Sequence, residues 1–575
     1  MERRLLLIFA LTFLVILLFQ PILRKYAPPP ATEQAPPPAQ SNSSQAPPGA
    51  ARAISSAASS KTAGSLAPAT KQAASESKIV IENDLYKIVF TNQGAHVESW
   101  VLKKWDDENG NPLDLVNPIA APRYGYPLSL WTYPGNLDET LRNRLNSALY
   151  VVTRSSSTLP TDLSFDYSDG DLSVHKTFHF DHSYVVGVET SVRVKGSEIA
   201  AFPMWPAGFG GELTASSYAV GQIAYQYDNK VDRLVAKKIS GGATIPGPFD
   251  WAAVSDQYFT AAFVPQDPQS AVLVTLRDPV EIRHNRSDKN DQRMDKVDVL
   301  GVAVGSLKGP ASGRLYVGPK ALEDLQSVRV PGITGAEPDL RAIVDFGWLG
   351  VIARPLFLWL KWTYKFIPNW GWAIVIQTLV INLALLPLRL SQMKSMLKMQ
   401  RVAPQIKQIQ EKYKKYSLRD PRKAEMNTEI SALYKKEGVN PAGGCLPLLI
   451  QMPFLFAYYR MLGVAIDLRH AHWLWVPDLA SPDPRYILPI AIVVTMFLMQ
   501  RMTPQAGMDP TQQKMMNIMM PAMMGYISFN LPSGLGLYWA VGQFIGIVQQ
   551  YALNRSSLGR EMREMMAKRA RKKEK

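Results

Sequence analysis

The chain has 575 residues, 47% hydrophobic and 19% charged, with a formal net charge of +15 and a single cysteine, Cys445. One thiol excludes a disulfide framework. The charge excludes an evenly basic surface: Arg389 to Gly438 has 13 Lys/Arg against 5 Asp/Glu and Arg555 to Lys575 has 9 against 3, nearly all of the excess. Both segments adjoin long hydrophobic runs, so the positive-inside rule places both in the cytoplasm and predicts a polytopic membrane protein.

Six runs approach the roughly 20 apolar residues that a bilayer core of about 30 Å demands. The first, Leu5 to Leu23, follows Met1-Glu2-Arg3-Arg4 without a small-x-small cleavage site. It is expected to be an uncleaved anchor, residues 1–25, with its amino terminus inside. Residues 26–77 are Pro, Ala, Ser and Gln with hardly an aliphatic side chain, the composition of a disordered linker. From 78 to 331, short alternating segments such as Tyr86-Lys87-Ile88-Val89-Phe90 and Tyr184-Val185-Val186-Gly187-Val188 stand between Asn, Asp, Gly and Pro. They predict a large all-β sandwich outside the membrane. His175 and His179 share a strand face about 13 Å apart and His182 falls in a turn, so no metal is expected, and no cofactor. The Gly208-Phe209-Gly210-Gly211 run lacks the strand and helix setting of a phosphate loop and reads as a turn.

Trp348 to Ile367, within 345–368, is apolar except for Arg354, Lys361 and Lys365, whose offsets of 7 and 11 share one helical stripe. This predicts an amphipathic helix along the outer interface, since a seventh span would carry three charges through hydrocarbon. Five core runs follow within 369–554: Trp370 to Leu388, Cys445 to Leu462, Tyr486 to Met502, Met515 to Phe529 and Leu535 to Leu553. Alternating the six runs leaves Tyr26 to Pro368 outside and both basic segments inside. Within the inner segment 389–438, Val402, Ile406, Ile409 and Tyr413, then Met426, Ile430 and Leu433 after an Asp420-Pro421 start, predict a helical hairpin with a narrow apolar seam. With the basic tail, 555–575, it is either a solvated hairpin that obeys the topology rule or a dock for RNA or anionic head groups. Lys412, Lys414, Lys415, Arg569, Arg571, Lys572 and Lys573 are the candidate contacts.

Asn369-Trp370-Gly371, Pro387-Leu388, the run from Val439 through Asn440-Pro441-Ala442-Gly443-Gly444-Cys445 to Met452-Pro453, Asp509-Pro510, Gln512-Gln513-Lys514, Pro532-Ser533-Gly534-Leu535 and Gln549-Gln550 resemble the YidC/Oxa1/Alb3 family of membrane protein insertases. The resemblance covers about 345–554. It implies a bacterial inner-membrane insertase and foldase, not an enzyme, with one anchor span, a five-span helical bundle and a periplasmic β-supersandwich. It further implies nascent membrane proteins as clients, with the ribosome, the Sec translocon and membrane lipids as partners. A hydrophilic groove open to cytoplasm and lipid is expected between the spans. Its candidate residues are Gln377, Asn382, Arg389, Gln451, Thr495, Asn517, Ser528, Tyr538 and Gln543, each equally able to serve as a helix-to-helix hydrogen bond. Many members carry an arginine where ungapped matching places Asn382; here the nearest positive charge on that helix is Arg389, about 10 Å nearer the cytoplasm. Met515, Met516, Met519, Met520, Met523 and Met524, beside Met496, Met499 and Met502, form a candidate slide for clients of varied shape.

A secondary transporter with an appended periplasmic domain is the alternative. It would need repeated halves and ionisable coupling residues, yet the five core runs hold no Asp or Glu. An intramembrane protease would need a base beside a nucleophile, and every histidine lies outside the runs.

Overall fold

The computed structural model describes residues 70–133, 139–211, 220–284, 292–330, 339–416, 420–439, 446–502, 510–557, 560 and 564. The anchor at 5–23, most of the linker, Cys445, Arg569, Arg571, Lys572 and Lys573 lie outside the described residues. The linker's end departs from its compositional reading, because residues 70–77 lie along the sandwich. Lys71 and Ser168 exchange backbone hydrogen bonds of 2.9 Å, and the Asn92 side chain donates to Ser75 O at 3.0 Å and accepts from Ser77 N at 2.7 Å. Backbone groups dock whatever side chains they carry, so composition placed this boundary too late.

Alternation does produce strands from 78 onward. A four-stranded sheet follows chain order, Lys78–Glu82, Tyr86–Thr91, His96–Asp106 and Pro112–Asp114. A ten-stranded sheet contains Leu172–Phe180 between Thr161–Asp169 and Val185–Val194, and a five-stranded sheet is built on the long hairpin of Ala271–Arg283 with Met294–Ser306. Phe90 of the first sheet meets Phe165, Phe178 and Phe180 of the second at ring centroids of 5.2 to 5.9 Å. Along Leu172–Phe180 the inward positions are Leu172, Val174, Lys176, Phe178 and Phe180. The lysine among them is fully buried, and its three donors reach Gly94 O, Ala95 O and Leu128 O at 2.8, 3.0 and 3.1 Å. On the outward face His175 and His179 bond Asp166 and Asp162 of the neighbouring strand at 2.8 and 2.6 Å, so the two rings hold separate partners.

Eight helices follow among the described residues: α1 Gly350–Phe366, α2 Trp370–Ala384, α3 Leu386–Lys412, α4 Arg422–Lys436, α5 Leu446–Val464, α6 Ile487–Met502, α7 Pro510–Ser528 and α8 Ser533–Arg555. One apolar cluster runs from the sandwich into this bundle. The predicted interfacial helix, α1, has three faces. Ala353, Leu356, Phe357 and Leu360 are buried, Val351, Leu358, Trp362 and Phe366 are exposed, and Arg354, Lys361 and Lys365 form the third. Lys361 pairs with Glu323 of the sandwich at 2.5 Å and with Asp467 after α5 at 3.2 Å, fastening the sandwich to the bundle.

The predicted run Trp370 to Leu388 divides into two helices bent by 47°. No single helix among the described residues is long and apolar enough to cross a membrane, while this bent pair passes by length and composition. Pro387 explains the break, since it cannot donate to the carbonyl four residues back. Part of the predicted hairpin seam forms, with Val402 and Ile406 buried beside Val439 against Met399, Ile430, Leu433 and Tyr434, while Ile409, Tyr413 and Met426 lie outside this cluster.

Candidate functional site

Arg389 lies one turn into α3 and sends its guanidinium back across the helix break. Nη2 donates to Asn382 Oδ1 at 3.2 Å. Asn382 is held in turn: Nδ2 donates to Thr378 O at 2.8 Å, and its backbone carbonyl accepts from Gln549 Nε2 of α8 at 3.2 Å. A glycine provides the space. A Cβ at Gly546 of α8 would stand 2.9 Å from Arg389 Nη1 and 2.6 Å from Met499 Cε of α6. Four helices thus surround one half-buried guanidinium, and no carboxylate pairs with it among the described residues. The side chain thus points back along the chain and brings its positive charge to within hydrogen-bond distance of Asn382.

The other predicted groove residues are placed elsewhere or otherwise engaged. Gln377 is fully buried, with Nε2 donating to Leu356 O at 2.9 Å and Oε1 accepting from Tyr458 OH at 2.7 Å. Tyr538 stacks on Tyr458 at 4.0 Å, so these three knit α1, α2, α5 and α8 together. Thr495 and Ser528 return their hydroxyls to Ala491 O and Gly525 O of their own helices at 2.6 and 2.7 Å. Asn517 and Gln543 are half-buried on α7 and α8, and Gln451 lies on α5 with its side chain outside the described set. On α7, Met519 and Met523 are exposed while Met520 and Met524 are half-buried. The side chains of Met515 and Met516 are not among those described. Thr378, Gln549 and Gly546 were not singled out as site residues from sequence. The signal was present in the Gly542-x-x-x-Gly546 spacing, a small-residue pattern that brings helices close.

One end of the bundle is closed by the segment 465–486. Asn369 caps α2 by accepting from Trp372 N at 3.1 Å, and its amide donates to His472 O at 3.2 Å. A Cβ at Gly371 would stand 2.2 Å from the Trp473 ring, which is why the Asn-Trp-Gly motif needs glycine. Gly534 N and Ser533 N bond Leu479 O and Ser481 O at 2.8 and 2.7 Å, tying the segment to α8. Gly371→Ala is expected to destabilise the bundle by about 1 to 3 kcal/mol through overpacking. Thermal unfolding of the purified protein measures this, with Gly463→Ala, where nothing lies within 4 Å of the added methyl, as the reference.

On the clamp between sandwich and bundle, burial holds the Asp467 carboxyl above its usual range, with Lys361 opposing, while Glu323 is drawn down by Lys361 against the cost of burial.

The described residues thus form an apolar helix bundle that keeps a polar seat around a guanidinium, with a large β domain docked on it. The family model described as 60Kd inner membrane protein matches residues 362–560, and that described as YidC periplasmic domain matches 78–359. The membrane protein insertase YidC of Ralstonia nicotianae is 33% identical over 515 residues, covering 86% of each chain; that of Geobacter metallireducens is 32% identical over 513 residues, covering 86% of this chain and 88% of its own. A solved YidC insertase is 18% identical, covers 85% of this chain and 95% of its own, and superposes with a TM-score of 0.35. The chain belongs to the YidC family of membrane protein insertases, proteins of the inner membrane.

Proposed function

We propose that the seat formed by Thr378, Asn382, Arg389 and Gln549 receives polar parts of a client while the client's apolar segment passes sideways into lipid. The Arg389 guanidinium carries this reading, because a half-buried cation with no carboxylate partner among the described residues keeps hydrogen-bonding capacity for an incoming group. Such a device lowers a barrier and needs no fuel: each unsatisfied polar group in hydrocarbon costs several kcal/mol, and the client's own apolar helix supplies the driving force. No bond is made or broken, so the chain acts as a non-enzymatic insertase and foldase. Closure by 465–486 faces outward and the hairpin inward, with the sandwich periplasmic, both termini cytoplasmic, and five core spans following the anchor. A photo-crosslinker at Gln549 should capture a stalled nascent membrane protein, and one at the fully buried Tyr458 should not. Equal yields would refute the seat.

The hairpin and tail are proposed to recruit the ribosome. Lys412 is engaged by Glu429 at 2.7 Å, leaving Lys414 and Lys415 exposed at the hairpin tip. Replacing both with glutamate should weaken ribosome binding and lower its log–log salt slope by about 2, near 0.9 per lost phosphate contact. An unchanged slope would restrict these lysines to setting topology. Clients pass alone or with the Sec translocon in this reading.

A further inference from the structure

Where the sandwich meets the first turns of α1, a cleft of about 740 Å³ is lined by four arginines, Arg233, Arg329, Arg341 and Arg354, against two aspartates, Asp339 and Asp345. The aspartates are already engaged. Asp339 holds Arg341 at 2.6 Å, and Asp345 holds Arg460 at 2.9 Å with Arg233 at 4.0 Å; Arg233 also donates to Ala342 O at 2.6 Å. Arg329 and Arg354 line the same cleft, are exposed, and have no carboxylate partner among the described residues. The cleft therefore carries a positive excess on two planar forks whose geometry suits the oxygens of a phosphate.

Its place in the fold selects the source of that phosphate. Trp348 and Val351, in the same stretch of chain as the cleft, are 74% and 81% exposed, and the exposed apolar face of α1 continues through Leu358, Trp362 and Phe366. Side chains of this size at such exposure belong in lipid, which sets the arginines beside them at the depth of the head groups. We propose that this cleft binds the phosphate of an anionic phospholipid head group from the outer leaflet, fixing the sandwich against the membrane surface. The inference rests on the interfacial placement of α1. It concerns a surface separate from the polar seat, since none of the seat's residues lines the cleft.

The test uses the full-length protein in detergent with added phosphatidylglycerol or phosphatidylcholine, scored by native mass spectrometry of retained lipid. The wild type should retain phosphatidylglycerol about tenfold over phosphatidylcholine. Arg329→Gln with Arg354→Gln should bring that ratio near one, whereas Lys365→Gln, on the same helix outside the cleft, should leave it high. A ratio unchanged in the double variant, or lost equally in Lys365→Gln, overturns the proposal. Inorganic phosphate should not displace the lipid at millimolar concentration; if it does, the cleft is a site for a free anion and the proposal fails. A nitroxide at Leu358→Cys in a Cys445→Ser background tests the placement of α1 separately. Oxygen accessibility typical of lipid together with no lipid preference rejects the head-group site alone, while accessibility typical of water rejects the placement on which it rests.

Discussion

Arg389→Gln is expected to slow insertion of clients with acidic translocated tails by about tenfold or more, and to leave clients with neutral polar tails within about twofold. The substitution removes the charge and leaves a shorter side chain whose amide still offers a neutral polar group to a passing tail. A hydrogen bond to a charged group contributes about 1.5 to 3 kcal/mol, a factor of roughly 10 to 150 in rate if it forms only as the tail passes. The cost of stripping water from the client's carboxylate works against this gain and holds the expectation to the lower end. Asn382→Leu should act differently. It removes the acceptor at 3.2 Å that draws the guanidinium inward, so acidic and neutral polar tails should both slow while purely apolar clients pass. Protease protection of a defined set of client tails, in vesicles carrying each variant, gives both rates. Equal slowing of acidic and neutral tails by Arg389→Gln would show that charge at this site does not select.

Lys176→Met should destabilise the sandwich by about 3 kcal/mol at neutral pH, because three carbonyls now bonded at 2.8 to 3.1 Å would lose their donor inside the core. Methionine has nearly the volume of lysine, so packing is conserved and the loss reports the polar contacts. Burial pushes the Lys176 ammonium down to about 7, against about 10.4 for an unfolded lysine. Between those values the unfolded chain holds the proton that the folded chain releases. Stability should therefore rise as pH climbs through that window and lose its dependence on this group below about 7, where both states are protonated. Hydrogen exchange across Leu172–Phe180 in the intact protein, measured from pH 7 to 9.5 after correction for intrinsic exchange, should show growing protection in the wild type and a flatter profile in the methionine variant. Identical slopes would mean that the carbonyls hold the ammonium charged throughout.

The physical signals in the chain differ in what they reveal. Period-two alternation exposed the sandwich, because inward and outward positions on a strand must differ. Seven-residue offsets exposed the charged stripe of α1, and the 4-3 spacing exposed the hairpin seam. Lys176 escaped this kind of reading: at an inward strand position it breaks the apolar pattern, and the carbonyls that satisfy it come from a distant turn and loop. The candidate site was half legible. Asn382 stood out as a polar group within an apolar run and Arg389 as the first charge beyond it, but the direction of the arginine depended on a bend at Pro387 and a gap at Gly546, neither of which has polarity to advertise it. Gln377 and Tyr538 carried the same polar signature as Asn382, and their partners in space assign them to cohesion between helices.

The break before α3 also has a mechanical side. Treated as a rigid rod, the 27 residues of α3 extend about 40 Å at 1.5 Å per residue, while Arg389 stands only about 5 Å from the pivot. A swing of about 5° at the break would carry the hairpin tip some 3.5 Å and the backbone beneath Arg389 about 0.4 Å. The helix is a lever with its short arm in the polar seat. Displacements at the hairpin tip reach the guanidinium reduced roughly eightfold, so the hairpin can move while the seat holds its shape.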